Sequence, residues 1–263
     1  MTETRPIIRL LHQLPRSGGT IINRCLGTMQ NNVVLSEVHP RSINKAVAFN
    51  PMIQAHQWFG LVDSADFRRW RRASAEQAAN FAASINLIAL RAEEQHKHLI
   101  LREYSQPDYI KTPRTQPSFT STTFDHLRDK AILLRLAVVR HPLQQWRSFE
   151  NYQGLKGRCR LADFVHGYYR FAKLSAKVGF IRYEDFCSDP DNTLQKICAG
   201  LELDYDPTYA ELWPEYRFVT GDESRPDDAK ISERKRPLAD DELLMELQST
   251  DEYHSALDIL GYN

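Results

Sequence analysis

The run Pro15-Arg16-Ser17-Gly18-Gly19-Thr20 holds the residue types that an anionic tetrahedral group requires. Two adjacent glycines let the backbone approach a ligand closely. Arg16 carries a permanent charge on a planar fork of donors. Ser17 and Thr20 add hydroxyls. Residues 7–14 before the loop read as a strand, and residues 20–29 after it suit a helix. A helix starting there, with Ile21 in its first turn, points free N–H groups and its positive dipole end at the loop. The pattern predicts a phosphate or sulfate cradle over residues 16–21. It is neither the nucleoside-triphosphate loop GxxxxGK[ST], whose first glycine, spacing and lysine are missing, nor GxGxxG. A plain glycine turn with a helix cap would use the same residues.

A second anchor follows the long apolar run at residues 132–139. Arg140 closes that run, and Ser148 lies about 1.7 turns beyond Pro142 on a following helix of about 3.6 residues per turn. Together they can clamp another phosphate, although an Arg at a strand edge can also simply satisfy carbonyls. In the segment Arg182-Tyr183-Glu184-Asp185, Tyr183 could lie against a base, whereas the two acids read as caps or buttresses. A proton acceptor is expected at Glu37, just after the apolar run 33–36. His39, two residues on, is the second candidate. Arg102-Glu103-Tyr104 ends another apolar run, and its first two residues could pair beneath the site or touch a substrate.

The elements that must position these residues alternate. Strands are predicted at 7–14, 33–36, 99–101, 132–139 and 178–181. Helices are predicted at 20–29, 64–96, 142–152, 161–177 and 190–201, with two short ones within 240–260. Alternation of this kind means βαβ units, right-handed crossovers and a mostly parallel sheet. The predicted fold class is α/β, three layers (α/β/α) around about five strands, in one domain over residues 1–263. Residues 220–237 read as a loop. Ligands of such sheets bind outside the carboxyl ends of the strands, which is where the candidate residues fall.

Composition narrows the function. The 263 residues carry 34 Lys+Arg against 34 Asp+Glu, so any anion site is local and general nucleic-acid binding is not expected. The basic cluster Arg68-Arg69-Trp70-Arg71-Arg72 reads as a solvated helix face. With 42% hydrophobic and 26% charged residues, the chain is an ordinary globular one. No apolar run approaches the ~20 residues of a membrane span, and the first residues lack a signal-peptide layout. Cys25, Cys159, Cys187 and Cys198 have no CxxC spacing and no adjacent histidines. They are expected as free thiols in the cytoplasm, with no metal site.

Taken in order, these three segments resemble the sulfotransferases that use 3′-phosphoadenosine 5′-phosphosulfate (PAPS). The loop at residues 15–20 resembles that family's 5′-phosphosulfate loop, commonly P-[KR]-[ST]-G-T-T. Arg140 with Ser148 resembles its 3′-phosphate motif. Residues 182–190 resemble its Y-E-D…D-P segment, and residues 243–262 the helical tail of bacterial-type members. The resemblance implies a P-loop-like fold and sulfuryl transfer from PAPS, without a metal, to an acceptor hydroxyl or amine. By residue it implies that Arg16, Ser17, Gly18, Gly19, Thr20 and Ile21 meet the phosphosulfate and that Arg140 and Ser148 meet the 3′-phosphate. Tyr183 would sit at the adenine. Late basic residues would cover the cofactor, with Arg225 and Arg234 as candidates beside Lys230, Lys235 and Arg236. The 21-residue spacing from Arg16 to Glu37 resembles that of the catalytic Glu in tyrosylprotein-type members. Gly19 departs from the usual Thr and removes one hydroxyl. An inactive binding protein of the same fold, or a nucleotide-dependent kinase, are the competing readings. The acceptor is left open as a carbohydrate, lipid, small metabolite or antibiotic hydroxyl, chosen by residues 40–67 and 106–124.

Overall fold

The apolar runs become five parallel strands: β1 (Ile7–Gln13), β2 (Asn32–Val38), β3 (His98–Glu103), β4 (Ile132–Val139) and β5 (Phe180–Arg182). Their spatial order is β2-β3-β1-β4-β5. The computed structural model describes residues 5–41, 47–72, 81–152, 156–221, 230–233 and 241–262. Alternate residues of β4 enter opposite layers. Leu136 and Val138 pack with α1 (Gly19–Thr28) and α10 (Pro190–Leu201), whereas Ala137 and Val139 pack with α8 (Leu161–Val178) and α13 (Asp251–Leu260). Strands β1, β2 and β3 bury their second face against α2 (Pro51–Gln57) and α4 (Phe81–Glu94). Coverage on both faces explains why these strands read as apolar runs rather than as alternating ones. The three-layer α/β/α arrangement is therefore the one expected.

Several boundaries differ from expectation, each for a local reason. The stretch 64–96 holds two described helices, α3 (Ser64–Arg72) and α4, with residues 73–80 outside the described residues. Helix α4 stops at Glu94 because His96 takes φ 54° and the Lys97 N–H turns back to the Ala92 carbonyl. Val178 is the last residue of α8 rather than the first of β5, since Gly179 at φ 87° ends the helix. Helices also occur within the segments 40–67 and 106–124. Helix α2 starts at Pro51 under a cap in which the Asn50 side chain accepts from the Met52 and Ile53 N–H groups. Short helices α5 (Gln106–Tyr109) and α6 (Thr122–Leu127) follow β3. Helix α7 (Pro142–Glu150) follows β4 and α9 (Tyr183–Ser188) follows β5, while α11 (Tyr209–Leu212) precedes the last pair, α12 (Asp241–Gln248) and α13. The expected loop at 220–237 falls largely on 222–229 and 234–237, outside the described residues. Among the described residues, no helix is long and apolar enough to cross a membrane.

Candidate active site

The carboxyl ends of the strands open into a cleft of about 800 Å³. Its walls include residues 13–21, Glu37, Arg102, Arg140, Ser148 and Tyr183, so five separate sequence segments meet there. Gly18 sits at φ 84° and caps α1 without any side-chain hydrogen bond to the first turn. A Cβ at Gly18 would run into the Tyr183 ring, so only glycine fits. Ser17 is buried and its Oγ has no hydrogen-bond partner among the described residues.

Cationic groups surround the loop. The Arg16 Nε donates to Ser148 Oγ at 3.0 Å, and its guanidinium lies 5.0 Å from the Tyr152 ring centroid. Arg16 holds φ 68°, a conformation that a non-glycine residue keeps only when its surroundings impose it. Two of those surroundings are visible: Arg140 Nη1 donates to the Arg16 carbonyl at 3.2 Å, and Gln145 Nε2 to the Pro15 carbonyl at 2.7 Å. Burial lowers the proton affinity of Arg140, with Tyr183 and Glu184 opposing it. A bound anion would relieve that cost.

Tyr183 differs from its expected use. It is 3% exposed, packed on Gly18 with the Arg140 guanidinium 5.1 Å from its ring centroid, and so offers little surface to a base. Glu184 is a buttress: its carboxylate accepts from the His141 N–H and the Tyr262 hydroxyl at 2.9 and 2.8 Å. Asp185 pairs with Arg182 at 3.0 Å.

Glu37 faces the cleft, but His39 does not. The pairing of β2 with β3 slips between Leu35 and Val38, and Glu37 takes φ 55° in that bulge. The slip breaks the two-residue period, so Glu37 and His39 lie on different sides. His39 is wholly buried, with Nε2 3.2 Å from Asp108 Oδ2 and Nδ1 accepting from the Arg41 N–H at 3.0 Å. Arg225 and Arg234, with Lys235 and Arg236, lie outside the described residues, and Lys230 is exposed.

Arg102 and Glu103 do not pair with each other, because neighbours on a strand point to opposite faces. Arg102 Nη2 lies 3.4 Å from Glu37 Oε1 and 3.1 Å from Thr20 Oγ1. Glu103 joins His12 at 2.6 Å and accepts from Ser105 and Ser121 at 2.7 and 2.5 Å. Burial pushes Glu103 up, but His12 and the two hydroxyls outweigh it and bring it down to about 2. A carboxylate held below its unfolded value stabilises the fold above that value and loses the contribution as pH falls. Thermal stability is therefore expected to drop as pH falls from about 4.5 to about 2. Melting curves across that window should be flatter for Glu103→Gln, and an unchanged slope would deny Glu103 this role.

No family model and no curated protein matches the chain. Solved structures do. The sulfotransferase domain of the Synechococcus PCC 7002 olefin synthase superposes with a TM-score of 0.67 at 16% identity, over 100% of this chain and 98% of its own. The chain has the sulfotransferase fold. A second neighbour, the sulfotransferase domain from the curacin biosynthetic pathway, gives 0.59 at 14% identity, over 99% of each chain.

Within the sulfotransferase fold, Gly19 is where the loop departs from the expected pattern, and the structure supplies the reason. A Cβ there would run into the amide of Gln13, the last residue of β1. With its oxygen turned to the guanidinium, that amide accepts from Arg102 Nη2 at 3.1 Å and from Arg102 Nε. Gly19 therefore makes room for a Gln13–Arg102 contact beneath the cradle. Sequence reading missed Gln13, Ser36, Tyr152 and Thr220 as site residues. Ser36 and Thr220 are 184 positions apart, and no periodic pattern connects them. No group of three or more His, Cys, Asp and Glu suited to a metal occurs among the described residues.

Proposed function

We propose that this chain is a sulfotransferase that moves the sulfuryl group of PAPS to an acceptor hydroxyl or amine. The observation that carries this reading is the convergence of the Arg16–Thr20 cradle, Arg140, Ser148 and the Glu37 carboxylate on one cleft. The residues fit the cofactor. Ser17 Oγ is a buried hydroxyl with no partner among the described residues, Gly18 leaves space that a side chain would fill, and buried Arg140 gains from a neighbouring anion.

PAPS supplies an activated sulfuryl group when bound. Arg16 and the first N–H groups of α1 meet the phosphosulfate, where negative charge grows on the leaving phosphate. Arg140 and Ser148 hold the 3′-phosphate. Glu37 takes the acceptor's proton as the acceptor oxygen bonds to sulfur. The bond from sulfur to the bridging oxygen breaks, its electron pair leaves on that oxygen, and adenosine 3′,5′-bisphosphate is released. By analogy with phosphoryl transfer, most of the acceleration comes from positioning and fixed charge. The acceptor enters beside Glu37, in a cleft that Phe49, Trp58 and Tyr104 also line.

Calorimetric titration with adenosine 3′,5′-bisphosphate, with ATP as control, tests the reading. Micromolar affinity for the bisphosphate and none for ATP is expected. A preference for ATP would favour the kinase alternative, and bisphosphate binding without transfer of radiolabelled sulfate to any alcohol would favour an inactive binding protein.

A further inference from the structure

Thr220 lies far from every motif in the chain, yet its hydroxyl ends on the carboxylate of Glu37. The order of donors around it is fixed by counting protons. Ser36 Oγ accepts from Arg102 Nη1 and from the Thr220 N–H, each at 3.0 Å, which uses both of its lone pairs. Its own proton is then the one in the 2.9 Å contact with Thr220 Oγ1. The Thr220 proton goes on to Glu37 Oε2 at 2.7 Å. Arg102 Nη1 also donates to the Thr220 carbonyl at 2.7 Å, so backbone and side chain of Thr220 are both tied to the same guanidinium. Ser36, Arg102 and Thr220 are all buried. Such a closed set of hydrogen bonds has one arrangement.

The chain runs on from Thr220 into Gly221, at φ 119°. A Cβ there would lie 2.6 Å from Thr20 Oγ1 in the first turn of α1, so the backbone passes directly against the cradle helix. Glu37 itself sits in the bulge of β2 with a positive φ, which leaves its direction to be set by contacts.

We infer that Thr220 is a positioning residue, which with Arg102 and Ser36 aims the Glu37 carboxylate at the acceptor. Oε2 is held as the acceptor of the Thr220 hydroxyl, and Oε1 is the atom that receives the acceptor's proton. This rests on the reading of Glu37 as base. It adds that the base works only while the segment at residues 219–221 is seated on β2 and β3. The C-terminal third of the chain thereby aims a carboxylate that stands on β2.

The test compares Thr220→Val, which removes the hydroxyl and keeps the shape, with Thr220→Ser, which restores it, and with Glu37→Gln. Transfer of radiolabelled sulfate from PAPS to a panel of aliphatic, aromatic and sugar alcohols gives turnover. Calorimetry gives the affinity for adenosine 3′,5′-bisphosphate. Thr220→Val is expected to lose turnover on the order of 10- to 100-fold with bisphosphate affinity unchanged, and Thr220→Ser to recover most of it. Wild-type turnover in Thr220→Val beside an inert Glu37→Gln would overturn the inference and leave the base reading standing. Wild-type turnover in Glu37→Gln would remove both. Crystal structures of Thr220→Val and Thr220→Ser with the bisphosphate need no acceptor. A Glu37 carboxylate displaced in the first and restored in the second is expected, and one unmoved in both would overturn the inference.

Discussion

Arg140→Ala is expected to weaken binding of adenosine 3′,5′-bisphosphate by about 10²- to 10³-fold. Arg140 is 6% exposed at the end of β4, where burial already lowers its proton affinity. Removing one partner from a buried, hydrogen-bonded charge pair costs about 2–5 kcal/mol, and each 1.4 kcal/mol is about tenfold in affinity. Part of the loss is indirect, because Arg140 also donates to the Arg16 carbonyl and so supports the loop. Arg140→Lys separates the two contributions: it keeps the charge, loses the planar fork, and should recover only part of the affinity. Titration calorimetry measures both variants, and urea unfolding of each shows whether the fold has changed. An Arg140→Ala protein with wild-type affinity would mean that the second anion binds elsewhere.

The legible parts of this site are those written within a single strand–loop–helix unit. The cradle could be read because glycine, arginine and hydroxyl residues sit in one loop between a strand and a helix. Arg140 with Ser148 could be read because Pro142 marks where α7 begins. Strand β2 was harder. Its apolar run ends at Ser36, but hydrogen bonding carries the strand through the bulge to Val38. That irregularity decides which of Glu37 and His39 reaches the cleft, and a bulge leaves no mark in a hydrophobic pattern.

Contacts between segments far apart in the chain were illegible for a different reason. Gly19 looked like a loss from the cradle when read alone. Its meaning depends on Gln13 and Arg102, which meet it only once β3 lies beside β1. Arg102 and Glu103 looked like a pair because they are adjacent, whereas the strand sends Arg102 to Glu37 and Glu103 to His12. Tyr183 looked free to stack because nothing in its own segment covers it. The cover comes from Gly18 and Arg140. In each case the partner was set by the order of the strands.

Glu37→Gln is expected to lower turnover by about 10²- to 10⁴-fold, the range that a positioned general base contributes, while leaving bisphosphate affinity intact. The variant keeps one oxygen to accept from Thr220, so the seat at residues 219–221 can persist. It replaces the other oxygen with an amide nitrogen, which cannot take a proton and which faces Arg102. Glu37→Asp keeps the carboxylate but draws it back by one methylene. It should fall between the two, because a shift of about 1 Å in a reacting group can alone cost about 10²-fold. The contrast matters more than either value. A base gives Asp above Gln, whereas a purely structural Glu37 would give Gln above Asp, since glutamine preserves the length. Retained turnover in Glu37→Gln would leave Glu103 as the other carboxylate lining the cleft. That residue is wholly buried and its oxygens are already engaged by His12, Ser105 and Ser121. It would have to break a network that holds it far below its ordinary proton affinity, and the geometry therefore favours Glu37.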